Sequence, residues 1–209
     1  KTPNGKSTKD LLFIPIILLW IVLIDLGYGI LIKYSNTPGK VGLRRMLWPS
    51  ESKMPFQSSL PRLLIFLHPK CSCSDATLSE LAILMTQVGS RVDALVLFYT
   101  PVNSEASWKT TRLWSMAQSI PGVQVIEDVG GSEAARFGAV TSGQTFLYSP
   151  KGNLIFSGGI TPARGHSGDN NGRSSIVSLV RNGRSDFSRT PVFGCSLATP
   201  TQKMKEPFK

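Results

Sequence analysis

The middle of this 209-residue chain lacks an excess of charge of either sign. Residues 54–160 carry seven Lys or Arg against seven Asp or Glu, whereas residues 1–53 and 161–209 each carry eight basic against three acidic residues. The sequence also lacks a stripe of basic residues interleaved with aromatics, which is the pattern of many nucleic-acid-binding surfaces. We therefore expect no nucleic-acid partner, and basic flanks beside a membrane explain the net charge of +10 better.

Charge is almost absent from residues 11–32, where Asp25 is the single charged residue. At about 1.5 Å per residue, this run is long enough to cross a hydrocarbon layer about 30 Å thick. It is longer than the apolar core of a secretory signal peptide, and no Ala-x-Ala cleavage site follows it. The sequence therefore predicts an uncleaved transmembrane anchor at 11–32, preceded by an N-terminal tail at residues 1–10.

The charges beside the predicted anchor do not decide its orientation. Three lysines precede it, and four basic residues follow closely: Lys1, Lys6 and Lys9, then Lys33, Lys40, Arg44 and Arg45. A domain with paired cysteines is best suited to an oxidising compartment. We therefore expect a single-pass membrane protein whose soluble domain lies outside the cytoplasm, on the periplasmic side.

Regular hydrophobic patterning begins only after residue 61. Residues 33–61 repeat turn-forming residues without a sustained period, which predicts a linker. Short apolar runs and helical spacing then alternate in the order β-α-β-α-β-α-β-β-α, with the second of these helices predicted at 104–119. This order predicts an α/β domain over residues 62–184, with a central mixed sheet flanked by helices, and leaves residues 185–209 as a C-terminal tail.

Cysteine is scarce, with three in the chain, and two of them lie together in the run His68-Pro-Lys-Cys71-Ser-Cys73. The pattern predicts that a strand ends before this run and that a helix begins after it. The unpaired N–H groups and the dipole at a helix start favour thiolate over thiol. Two thiols this close form an easily reduced disulfide, or bind a soft metal together with His68. The run therefore predicts redox or metal chemistry.

Three further residues are candidates for the same site. Cys195 lies in a Gly-Cys-Ser loop, where it is either an isolated thiol or, if the tail folds back, a group that resolves a sulfenic acid or mixed disulfide at Cys71. Arg164 and His166 lie in a Gly-rich loop and either belong to a polar surface or reach the cysteines, to stabilise a thiolate or donate a proton. The pairing among the cysteines stays open between three single-disulfide states.

The element order, with a cysteine at its first strand-to-helix junction, resembles the thioredoxin-like fold. On the Cys-x-x-Cys pattern of that family, Cys71 takes the place of the nucleophile, Ser74 that of the resolving cysteine, and Cys73 lies one residue early. The family's cis-proline position falls near Gly143. A closer resemblance rests on the apolar run, the cysteine motif, the Gly-rich stretch around His166 and the sequence Pro-Val-Phe-Gly before the last cysteine. In these features the chain is similar to the bacterial RedB-type proteins, which implies a membrane-anchored thioredoxin-like protein and no particular reaction.

Three functions follow from these observations. The first is a thiol redox protein, either an oxidoreductase or a thiol peroxidase, in which Cys71 attacks as thiolate and Cys73 or Cys195 resolves the product. It requires no cofactor, and its partner is a protein thiol, a disulfide or a reductant. The second handles copper or another soft metal through Cys71, Cys73 and His68. The third is a non-catalytic binding module that kept the fold, as Ser74 and Gly143 replace the family's cysteine and proline.

Overall fold

The structure, a computed structural model, describes residues 8–54, 56 and 59–198 and divides the chain into two units. The first unit, residues 1–36, contains one helix, α1, at Thr8–Ser35. The apolar side chains described along α1 are exposed on every side. Within the described residues, Phe13–Ser35 is the one helical stretch long and apolar enough to cross a membrane. The predicted span at 11–32 lies inside α1.

The second unit, residues 37–209, contains the α/β domain. Its strands are β1 Arg62–Leu67, β2 Asp93–Thr100, β3 Val123–Val129, β4 Gln144–Tyr148 and β5 Leu154–Gly158. Its helices are α2 Cys73–Val88, α3 Arg112–Gln118, α4 Ser132–Phe137 and α5 Asn171–Asn182, with short 3₁₀ turns at Gly89–Arg91 and Ala106–Trp108. The predicted order of strands and helices is therefore confirmed.

The five strands form one mixed sheet in the order β3-β2-β1-β4-β5. β1, β2 and β3 are parallel, while β4 pairs antiparallel with both β1 and β5. All six residues of β1 are buried, as its continuous apolar sequence predicts for a central strand with both faces covered. The loop after β1 consequently starts from the central, fully buried strand of the sheet.

Alternate side chains of β1 enter two different cores. Leu63, Ile65 and Leu67 pack in the cluster that contains the apolar faces of α2, α3 and α5. Leu64 and Phe66 pack on the opposite face with Phe137 of α4 and other aromatics. The period of two along a strand produces this division. The second unit is therefore a three-layer α/β domain. The predicted fold class, a thioredoxin-like fold with a central mixed sheet flanked by helices, is confirmed, and an N-terminal apolar helix is present where the transmembrane helix was predicted.

The helix predicted at 104–119 is wrong in its first half. α3 begins only at Arg112, because Thr111 adopts an extended backbone and its Oγ1 accepts a hydrogen bond from the Trp114 N–H at 3.3 Å. This is the geometry of a helix N-cap. Residues 106–108 instead form a separate 3₁₀ turn. That turn brings the Trp108 ring against Tyr99 and His68, so long-range packing overrides the local helical pattern.

The segments before and after the predicted domain also contact the sheet. Trp48, within the predicted linker, packs edge-on against Phe137 and Tyr148, and its N–H donates to the Gly152 carbonyl at 2.9 Å. In the predicted tail, the Ser188 carbonyl accepts from the Ser157 N–H at 3.0 Å. The described parts of both segments are thus components of the second unit.

A buried ion pair fixes the loop between β5 and α5. Glu80, on α2, is fully buried and pairs with Arg173 of α5. Its carboxylate also accepts hydrogen bonds from the Gly168 N–H at 2.7 Å and from Asn170 Nδ2 at 3.0 Å. A buried carboxylate is tolerated only when it is paired and hydrogen-bonded in this way. The pair therefore holds the loop that carries Arg164 against the helix that follows the cysteines.

Candidate functional site

The loop that carries the first two cysteines is fixed by hydrogen bonds to its own backbone. The Cys71 N–H donates to the His68 carbonyl at 3.1 Å, and the Ser74 N–H donates to the Cys71 carbonyl at 3.0 Å. The Ser74 hydroxyl donates to the His68 carbonyl and lies 2.9 Å from the Ser142 hydroxyl. Ser74, at the family's second cysteine position, therefore braces the loop.

The C-terminal part of the chain brings the third cysteine to the other two. The sulfur atoms of Cys71, Cys73 and Cys195 all lie within 4.8 Å of one another. All three are thiols, with no disulfide among them. Cys71 is 5% exposed and Cys73 is 7% exposed, while Cys195 is partly exposed. The fold thus assembles a compact group of three thiols from sequence positions more than a hundred residues apart.

The three thiols differ in acidity because their hydrogen bonds differ. Burial raises the pKa of Cys71, but hydrogen bonds from the Cys195 thiol and from the backbone N–H groups of Cys195, Cys73 and Ser74 outweigh it, and the pKa is lowered. Burial and the charge of Cys71 raise the pKa of Cys73. Burial, followed by hydrogen bonding and charge from Cys71, raises the pKa of Cys195 to about 12. Cys71 is therefore the one thiol of the three that the site favours as thiolate.

Arg164 contacts the residue next to the third cysteine. Its Nη1 donates to the Gly194 carbonyl, and its Nε donates to the Thr37 carbonyl at 3.0 Å. Its positive charge also opposes the rise in the Cys73 pKa. The structure thus places Arg164 beside the thiols, where it both holds the backbone before Cys195 and contributes positive potential.

Neither histidine belongs to the group formed by the three cysteine sulfurs. The His166 Nδ1 lies 2.6 Å from the Arg164 carbonyl on an exposed loop. The His68 ring stacks on Tyr99 with centroids 5.8 Å apart, and its Nδ1 accepts from the Lys70 N–H at 3.2 Å. Burial lowers the pKa of His68, which favours the neutral ring. Among the described residues, the side chains close enough to share one ion are the three cysteines, without either histidine.

Sequence reasoning missed the residues that receive the third cysteine. The Ser142 N–H donates to the Cys195 carbonyl at 2.8 Å, and the Gly143 N–H donates to the Phe66 carbonyl at 2.8 Å. Gly143, near the family's cis-proline position, has φ of +91°, and the described residues contain no cis peptide bond. The one available signal was the Thr-Ser-Gly sequence immediately before a strand. Its pairing with a segment more than fifty residues away is not visible in the sequence.

Comparison with solved structures supports the fold. A comparison with protein-family models and one with curated proteins gave no match. A hypothetical protein from Sinorhizobium meliloti matches with a TM-score of 0.53 and 20% identity, over 77% of this chain and 93% of that one. An uncharacterized conserved protein from Geobacillus kaustophilus matches with a TM-score of 0.55 and 15% identity, over 79% and 94%. The Streptococcus pneumoniae lipoprotein thioredoxin Etrx1 matches with a TM-score of 0.45 and 16% identity, over 66% and 98%. At these identities, the likeness to the first two structures, whose TM-scores exceed 0.5, concerns the fold alone.

The hydrogen bond from the Cys195 thiol predicts a measurable change in Cys71 reactivity. Replacing Cys195 by Ala removes that donor, so the pKa of Cys71 rises and its alkylation shifts to higher pH. The measurement is the Cys71 alkylation rate against pH, read by peptide mass spectrometry. Cys73→Ala is the matched control, because Cys73 stabilises the Cys71 thiolate through its backbone N–H, which the substitution keeps. Superimposable profiles for the wild type and Cys195→Ala would contradict this assignment.

Proposed function

We propose that this chain is a thiol–disulfide exchange protein in which Cys71 is the attacking thiolate and Cys195 the resolving thiol. One observation carries the proposal: three thiols lie with their sulfurs within 4.8 Å, and only Cys71 has a lowered pKa. Thiol–disulfide exchange needs this combination, since the thiolate attacks and a second thiol must then reach the mixed disulfide.

Cys195 is better placed than Cys73 for the resolving step. Cys73 is the first residue of α2, so the helix restricts the movement of its backbone. A Cys71–Cys73 disulfide would have to close across Ser72 alone, against the geometry that the bond prefers. Cys195 lies on a separate segment, and its sulfur is within 4.8 Å of the Cys71 sulfur. Its approach to the Cys71 sulfur is therefore less constrained.

The proposed reaction balances in two exchange steps. The Cys71 thiolate attacks one sulfur of a partner disulfide, forms a mixed disulfide and releases the other partner sulfur as thiolate. Cys195 then loses its proton to the released thiolate or to water and attacks the Cys71 sulfur. The partner leaves with two thiols, and the chain keeps a Cys71–Cys195 disulfide. An external dithiol reductant returns the two electrons to the chain.

The acidity of Cys195 changes in the course of this sequence. Burial is the largest cause of its raised pKa, but hydrogen bonding and charge from Cys71 contribute next. Once Cys71 is bound in a mixed disulfide, its negative charge is gone and these contributions disappear. The pKa of Cys195 then falls, so the resolving thiol becomes more reactive only after the first step has occurred.

The three-thiol group also supports a second candidate function, the binding of a soft metal. Thiolates select copper(I) and zinc among the metals common in proteins. The structure favours Cys195 over the predicted His68 as the third ligand, because the three sulfurs lie together and the His68 ring stacks on Tyr99. In this reading the three cysteines form one ligand set and have equivalent roles.

Single cysteine substitutions separate these functions. In an exchange protein, Cys195→Ser traps a mixed disulfide between Cys71 and its partner, whereas Cys71→Ser traps nothing and loses exchange. Cys73→Ser serves as the matched control and retains turnover. The measurement is recovery of disulfide-linked complexes after acid quenching, together with native mass spectrometry for bound metal.

The other outcomes of this experiment are equally specific. If each of the three substitutions lowers metal content by a similar factor and none traps a partner, the chain is a metal-binding protein. If the substitutions change neither trapping nor metal content, the exchange proposal fails, and a non-catalytic binding module accounts for the fold.

We further propose that α1 anchors the chain in a membrane, with the second unit outside the cytoplasm, as in the RedB-type proteins that it resembles. The apolar side chains described along α1 are exposed on every side, which is unfavourable in water and favourable in a membrane. A site of three thiols is also suited to an oxidising compartment. A reporter that is active only outside the cytoplasm, fused after Lys209, should be active in whole cells. A paired reporter that is active only in the cytoplasm is the control. Activity of the cytoplasmic reporter instead would reverse the proposed topology.

A further inference from the structure

The segment that carries Cys195 lies as a short extra strand against residues 140–142. The Ser142 N–H donates to the Cys195 carbonyl at 2.8 Å, and the Leu197 N–H donates to the Val140 carbonyl at 3.0 Å. Between these bonds, Thr141 and Ser196 form an antiparallel bridge. We call residues 194–198 the covering segment, and residues 140–142 the receiving edge. The two are joined through main-chain groups, a mode of pairing that places little restriction on side-chain identity.

Two side chains of the covering segment point into the protein, and they alternate along it. The Cys195 sulfur lies within 4.8 Å of the Cys71 sulfur, and the Leu197 side chain is 2% exposed in the aromatic core with Phe66 and Phe146. Ser196, between them, is exposed. This alternation is that of a strand with one inward face. The receiving edge therefore accommodates an extended segment that has a cysteine and, two positions later, a large apolar residue.

Gly194, the residue before Cys195, lies very close to the receiving edge. A Cβ on Gly194 would collide with the Ser142 carbonyl, and the Gly194 carbonyl accepts a hydrogen bond from Arg164. A residue without a side chain at this point allows the backbone to approach the receiving edge. The full pattern read by the edge is thus a small residue, a cysteine, an outward-facing residue and a large apolar one.

The covering segment also limits access to the attacking sulfur. Cys71 is 5% exposed and Cys73 is 7% exposed while the segment is in place. A protein disulfide is too large to reach Cys71 past that cover. The partner must therefore bind where the segment now lies, or the segment must first move away.

We propose that the covering segment is an internal stand-in for the partner, and that the receiving edge binds an extended partner segment of the form small residue, disulfide-bonded cysteine, any residue, large apolar residue. This inference rests on the proposed exchange function and names its substrate class. The partner strand displaces the covering segment and places its own sulfur against Cys71. The mixed disulfide then forms as the other half of the partner disulfide leaves as a thiolate.

The partner strand and the covering segment compete for the receiving edge, and this competition determines when the resolving step occurs. While the partner strand occupies residues 140–142, Cys195 is held away from Cys71. When the covering segment returns, it displaces the partner strand and brings its thiol to the Cys71 sulfur. The partner leaves as a thiol, and the Cys71–Cys195 disulfide retains the segment on the edge until a dithiol reductant breaks it.

Peptides copied from the covering segment test this directly on the reduced full-length chain. The probe is residues 191–198, Pro-Val-Phe-Gly-Cys-Ser-Leu-Ala, with its cysteine joined to a coloured aryl thiol that is released on attack. The control peptide exchanges the two residues after the cysteine, giving Cys-Leu-Ser, so composition and charge are unchanged. Burial of one leucine corresponds to at least about a tenfold difference in release rate in favour of the first peptide. Equal rates for the two peptides would overturn the proposal.

A variant of the chain provides the second arm. Leu197→Ser removes the apolar anchor of the covering segment, so a small symmetrical aryl disulfide should react with Cys71 faster than in the wild type. Val102→Ser is the matched control, since it removes an apolar side chain that is already exposed. Unchanged reactivity in Leu197→Ser would also contradict the proposal.

The same assay distinguishes failure of this inference from failure of the exchange function. If the aryl disulfide reacts at Cys71 but the two peptides react alike, the exchange function is supported, and the proposal that the receiving edge binds a partner strand is wrong. If Cys71→Ser reacts as fast as the wild type with every probe, Cys71 is not the attacking thiol, and both proposals fall.

Discussion

The antiparallel contact between residues 140–142 and 194–198 brings the third cysteine to the other two, and the proposed chemistry depends on it. Without it, the thiols at the end of β1 would be a closely spaced pair beside a helix start. With it, the sulfur of a third thiol lies within 4.8 Å of the other two, and Cys71 and Cys73 are buried. The contact has little tolerance for change, because the Gly194 backbone lies directly against the Ser142 carbonyl. The acidity of Cys71 and access to it depend on this one pairing, and so does the resolving role that we propose for Cys195.

Other parts of the fold hold the cysteine loop and the covering segment in place. β1 is buried on both faces and ends at the cysteine loop, so the loop starts from the core of the domain. The Glu80–Arg173 pair holds the loop before α5, and Arg164 of that loop donates to the Gly194 carbonyl. A chain of polar contacts therefore connects the first helix after the cysteines to the segment that covers them. This arrangement, a buried strand with hydrogen-bonded loops at its end, positions the three thiols, and the buried Glu80 carboxylate behind them is paired and hydrogen-bonded.

The sequence predicted those parts of the molecule that depend on local periodicity. The strand and helix order was confirmed because apolar runs and helical spacing record which faces are buried. The helix at 104–119 failed where Trp108 packs on aromatics distant in sequence and Thr111 caps a later start. The sequence predicted that Cys195 would reach Cys71 only if the C-terminal tail folds back. Nothing in the Gly- and Ser-containing stretch around Cys195 has a period, and its pairing with Val140 depends on contacts that no local pattern records.

Disulfide mapping of the full-length chain tests the central claim most directly. The reduced protein is oxidised by a glutathione buffer, alkylated and digested, and the linked peptides are assigned by fragmentation. The account predicts a Cys71–Cys195 disulfide with Cys73 alkylated, and the same link in a Cys73→Ser variant. A dominant Cys71–Cys73 disulfide, or a Cys195 that stays alkylated after oxidation, would contradict it.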